Sequence, residues 1–214
     1  MSTTERNIIG VTGHGSANAA PDRMRLLIGV SVVRDSVAAA TSDARRLATA
    51  VTAAIRTAGV GERDTQTTRF SIHPEYRHTE RRRVLDGYRV TSTVTATIRD
   101  LERPGEVIDA AVAAGGNEVV VDDVSFDVED ESAARRRARE RAWRDAEDRA
   151  QQLAALAGVG LGSPTRIDER TTPLGGPMPM ARAAAMAEAA PTPIEVGTQT
   201  ITVTIDVEFA IVPS

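Results

Sequence analysis

The chain has 214 residues, 41% hydrophobic, 26% charged and only 3% aromatic, with a formal net charge of −4. That length supports a core built from Ala, Val, Ile and Leu rather than from rings. All 26 basic residues are Arg and there is no Cys, which excludes Schiff-base and P-loop lysine chemistry, disulfides, thiolate nucleophiles and Cys-ligated zinc.

Residues 1–7 lack the apolar run of a secretory signal, so the expectation is cytoplasmic residence. Residues 7–14 read as a short strand, and Gly15 to Asp22 has turn composition. Met24, Leu26, Ile28, Val30 and Val32 then alternate with their neighbours, which predicts a strand over 24–34 with one face in a core. Asp35-Ser36 offers an N-cap for a helix over 36–58, with Val37, Ala40, Ala44, Leu47, Val51 and Ile55 at helical spacing and Gly59 as its stop. Strands follow at 65–77 and 87–99; the second sets Tyr88, Val90, Val94, Ala96 and Ile98 against Arg89, Thr91, Thr93, Thr95 and Thr97.

A short helix near 103–114 precedes a strand at 118–128 and a helix at 131–157. That helix carries Ala134, Ala138, Ala142, Ala146, Ala150, Leu153 and Ala157 on one stripe, with Trp143 at its edge. Small residues there let the axis lie close to whatever it covers. Strands at 163–170 and 198–212 close the pattern, the last alternating Ile201, Val203, Ile205, Val207 and Phe209 with Thr and acidic residues. The order β-α-β-β thus occurs twice, in halves of about 24–100 and 118–212, within a single domain spanning 1–214. One apolar and one hydroxyl-rich face per strand predict an α+β fold: antiparallel sheet with helices packed on one face. Residues 171–197, rich in Pro, Gly, Ala and Met, form a long insertion before the last strand.

No candidate for chemistry rises above a structural explanation. Gly13-His14-Gly15 lacks the third glycine and helix start of a dinucleotide site and reads as a strand end entering a turn. His73, Glu75 and His78 could approach a metal, but Arg77, Arg81, Arg82 and Arg83 would repel it, and a solvated hairpin tip is the simpler reading. Met178, Met180 and Met186 read as a loop or partner contact rather than a Cu(I) site. Asp122-Asp123 and Glu129-Asp130-Glu131 fall at element ends, where a helix N-terminus stabilises negative charge. Arg135-Arg136-Arg137 is a solvated face, interleaved with acids immediately after. The expectation is therefore no catalytic, cofactor or metal residue, and not an enzyme. Net negative charge weighs against nucleic acid as a partner, and no apolar run is long enough for a membrane-spanning helix.

Several segments in order resemble the SIMPL-domain family of periplasmic immunogenic and oxidative-stress-defence proteins. They are Val11-Thr12-Gly13-His14-Gly15 with Pro21-Asp22, then Asp64-Thr65-Gln66-Thr67 leading to Pro74-Glu75-Tyr76. Gly87-Tyr88-Arg89-Val90-Thr91, Arg99-Asp100-Leu101, Ala114-Gly115-Gly116-Asn117 with Phe126, and Thr192-Pro193-Ile194-Glu195-Val196-Gly197 complete the set. The resemblance implies an α+β domain, often homo-oligomeric, loosely tied to stress tolerance, with no shared catalytic residue to carry over. The expectation is a non-enzymatic, self-assembling protein. The alternative is a small-ligand or protein-binding module using 171–197 and the Arg-rich tip at 77–83; a metal-dependent enzyme ranks last.

Overall fold

The computed structural model describes residues 7–78, 82–170 and 194–213, with nothing drawn from the side chain of His78. The elements are β1 (Ile8–Ala19), β2 (Arg23–Arg34), α1 (Val37–Thr57), β3 (Thr65–His78), β4 (Arg83–Ile98), α2 (Pro104–Gly115), β5 (Val119–Asp127), α3 (Ser132–Ala157), β6 (Gly160–Arg170) and β7 (Gln199–Val212). The described residues form two compact units: 7–20, 128–170 and 197–213 in one, and 21–78, 82–127 and 194–196 in the other. The fold is mixed α and β, with two antiparallel sheets ordered β1-β7-β6 and β3-β4-β2-β5. The predicted insertion's residues 171–193 lie outside the described residues, as do 79–81 of the Arg-rich tip.

In the four-stranded unit, the predicted apolar face of β2 is buried throughout from Met24 to Val32. It packs with Val90, Ala96 and Ile98 of β4 under Ala40, Ala44, Leu47, Val51 and Ile55 of α1. Helix α2 adds Val107, Ile108 and Ala111 to the same core. The Ser36 hydroxyl accepts the Ala39 amide at 3.2 Å, so α1 starts at the expected cap. Gly59, at φ 101°, turns the chain after its last turn.

In the three-stranded unit, α3 lies over β1 and β7. Its stripe of Ala134, Ala138, Ala142, Ala146, Ala150 and Ala154 is buried, while Leu153 is exposed, so the stripe ends on Ala154 rather than turning to Leu153 and Ala157. Facing the alanines are Gly13, Gly15 and Ala17 of β1, all buried. A Cβ on Gly13 would stand inside contact distance of the Ala142 carbonyl and 2.7 Å from the Ala146 methyl. One on Gly15 would run into the Ala138 carbonyl and the Ala142 backbone. The helix backbone therefore rests almost directly on the strand.

This contact corrects two expectations. Residues 15–19 are strand rather than turn, because their small inward residues are what α3 needs. The β-α-β-β order occurs twice as read, but the leading strand of the second half pairs elsewhere. β5 joins β2, with Met24 opposite Phe126 and Leu26 opposite Val124, and β1 takes the place beside β7, with Thr12 opposite Asp206. The bulk of Val119, Val124 and Phe126 suits the aliphatic core they pack against; beneath α3 it would hold the alanine stripe away.

Gly15→Ala is expected to lower unfolding free energy by about 1–3 kcal/mol through overpacking against backbone that has no rotamer to yield. Gly10→Ala, where an added Cβ meets nothing within 4 Å, is expected to change it by no more than about 0.5 kcal/mol. Thermal and urea unfolding of the two variants check this pair.

Candidate functional site

Across the three-stranded sheet, the residues that do not face α3 form rows set by register. His14 lies opposite Thr204 and Arg170 beyond it; Thr12 lies opposite Asp206 and then Asp168; Gly10 lies opposite Glu208 and then Arg166. The Thr12 hydroxyl donates to Asp206 Oδ1 at 2.7 Å, and Arg170 Nε meets Asp206 Oδ2 at 2.5 Å. Arg166 pairs with Asp168 at 2.6 Å and lies 3.9 Å from Glu208. A hollow of about 220 Å³ is lined by Gly10, Thr12, Arg166, Asp168, Asp206 and Glu208 of these rows. Its carboxylates are each matched by a guanidinium or hydroxyl. The Thr12 hydrogen bond, followed by the charge of Arg170, holds the Asp206 carboxyl below the usual range. Such a surface is polar, neutralised and solvated.

The outer edge of β1 is closed by α3. The His14 amide donates to Asp145 Oδ2 at 2.8 Å, and Arg141 Nη1 donates to the Ser16 carbonyl at 2.5 Å. Arg149 Nε, one helical turn on, steadies Asp145 at 3.0 Å. These side chains replace the strand partner that an edge would otherwise recruit. On the far side of α3, Arg139 grips Glu169 of β6 through two bonds of 2.6 and 2.9 Å.

Strand β3 is different. It is an outer strand of its sheet, and Phe70, Ile72 and Tyr76 are 58%, 39% and 42% exposed. The residues weighed for a metal lie here. Glu75 is committed to Arg89 Nε at 2.8 Å, which lowers its pKa, and His73 is exposed. Arg77 pairs with Asp86 at 3.3 Å and Arg83 stacks over the Tyr76 ring at 4.5 Å. Among the described residues no group of three or more His, Cys, Asp and Glu is placed to hold a metal. His14 of the glycine pair sits on the polar sheet face with its ring nitrogen Nδ1 3.4 Å from the Thr204 hydroxyl. Asp122 accepts from Thr93 at 3.4 Å, Asp130 from the Ser132 amide at 2.9 Å, and Glu131 pairs with Arg135 at 2.7 Å. Asp122, Asp130 and Glu131 thus each have a structural partner. Met178, Met180 and Met186 lie outside the described residues.

The edge closure by Asp145 and Arg141 was not anticipated. Its only trace in the sequence is that charged residues occupy the helix flank beside the alanine stripe.

The fold, with its twofold β-α-β-β order and glycine-faced first strand, defines a class, and the comparisons agree. The family model for SIMPL, described as a protein of unknown function (DUF541), matches residues 9–209. The chain belongs to the SIMPL family. It is 34% identical over 184 residues to the 26 kDa periplasmic immunogenic protein of Brucella melitensis, covering 83% of this chain and 71% of that protein. It is 30% identical over 146 residues to the uncharacterized protein YggE of Escherichia coli K12, covering 68% of this chain and 58% of that one. The Brucella abortus counterpart of the first is also 34% identical. The name of the Brucella proteins overturns the expectation of cytoplasmic residence. That expectation rested on residues 1–7 alone, and a leader is no part of the folded domain.

The largest influence lowering the Asp145 pKa is the His14 amide, with Arg149 adding to it. A depressed native pKa gives stability that is whole above the unfolded-state Asp value of about 3.9 and is lost as pH falls through the lower native value. Asp145→Asn is therefore expected to reduce the melting temperature at neutral pH and to flatten its fall below about pH 4. Melting curves across pH for both proteins check this.

Proposed function

We propose that this is a non-enzymatic SIMPL protein of the periplasm that works by assembling with copies of itself. One observation carries the reading: the apolar row Phe70, Ile72 and Tyr76 stands exposed on an outer strand, whereas the outer strand β1 is closed by Asp145 and Arg141. An exposed apolar row on a strand edge is the kind of surface that a partner strand or sheet covers. Ile167, 55% exposed on the outer strand β6, offers a second such surface. The paired charges of the polar sheet face favour a structural role over a reacting one. Periplasmic residence is supported by the names of the Brucella relatives; a part in stress tolerance is supported by the family resemblance alone.

Light scattering coupled to size exclusion is the test. The wild-type chain is expected to elute with a mass several times 22.8 kDa, and Ile72→Glu is expected to shift it towards the monomer without lowering the melting temperature. A monomer at high micromolar concentration would remove the assembly reading.

A further inference from the structure

The two long helices end alike. Ala58-Gly59-Val60-Gly61 after α1 and Ala157-Gly158-Val159-Gly160 after α3 are the same four residues. Both ends close with the same backbone bond, Val60 to Ile55 at 3.3 Å and Val159 to Ala154 at 3.0 Å. Matching the helices from this shared end places the buried Leu47, Val51 and Ile55 on the buried Ala146, Ala150 and Ala154. One turn earlier it places Ala44 on Trp143. In its own unit, Trp143 is half-buried and packs its ring 6.2 Å from Phe209. In the other unit the alanine leaves room, and a cleft of about 630 Å³ opens between α1 and strands β3 and β4.

The cleft has the size of a small-molecule site. Ala44 and Ala48 form one wall, and Phe70 and Val94 the other. Arg45 and Arg56 belong to its lining, and none of the described residues that line it is acidic. Arg56 has only a loose pair with exposed Glu62 at 3.6 Å, and Arg45 has no ion pair among the described residues. Thr41 also belongs to the lining, and its hydroxyl is buried with no hydrogen-bond partner among the described residues.

We infer that this cleft binds a planar aromatic carboxylate about the size of two fused rings. Its rings take the place that the Trp143 indole fills in the other unit, and its carboxylate pairs with Arg45, the residue next to Ala44 on α1. The inference shares Phe70 with the assembly reading, whose exposed row runs on along β3 through Ile72 and Tyr76, and calorimetry beside light scattering tells the two apart.

Calorimetric titration of naphthalene-2-carboxylate into the full chain tests it. Saturable binding of one ligand per chain is expected, with naphthalene-2-methylamine giving none. Arg45→Gln, an exposed position outside the core, should weaken binding about tenfold, and Ala48→Phe should abolish it by filling the cleft. Light scattering on the same samples keeps the readings apart, because Arg45→Gln should leave the assembled mass unchanged. No saturable heat at millimolar carboxylate, equal binding of the amine, or undiminished binding by Arg45→Gln would each overturn the proposal.

Discussion

Backbone against backbone is the constraint on which the three-stranded unit depends. Gly13 and Gly15 present no side chain to α3, and α3 answers with methyl groups alone. Neither partner has a rotamer with which to absorb a change, so the contact is close and unforgiving. Dispersion between many closely spaced atoms replaces the large side chains that the sequence lacks. The same closeness brings Asp145 and Arg141 within reach of the strand edge, so one packing choice both joins β1 to the unit and shields it.

The contact has a cost in chain topology. β1 pairs with β7 from the opposite end of the sequence, Ile8 lying opposite Ala210. Closing so large a loop is slow and entropically unfavourable. The four-stranded unit needs no such return: its elements run from residue 23 to 127 in sequence, and its core uses Met, Leu, Ile and Val of ordinary bulk. Its helix is correspondingly looser over the sheet, which leaves the α1–β3 cleft and the uncovered row on β3. The two units have thus divided the work: one is closed by α3 over its sheet and along β1, the other leaves the cleft beside α1 and the row on β3 open.

Much of this was legible in the residues. The apolar alternation of β2, β4 and β7 and the helical spacing of α1 and α3 placed those elements within a few residues of where they lie, and the alanine stripe announced a close approach. What it approached was hidden, because β1 alternates in size rather than in hydrophobicity. Gly13, Gly15 and Ala17 look like turn residues when polarity alone is scored, although His14, Ser16 and Asn18 between them face outward as a strand requires. Strand exchange between the halves was likewise invisible, since repeat order says nothing of which strand pairs with which. Of the candidate chemistry, the sequence could name His73 and Glu75 but could not reveal that Arg89 holds the carboxylate.

Hydrogen exchange under native conditions at the β1 amides between Gly13 and Ala17 tests most directly whether the glycine–alanine contact holds the unit together. The account predicts exchange as slow as in the core of β7, through global unfolding alone. Exchange at the pace of a fraying terminus, with β7 still protected, would contradict it.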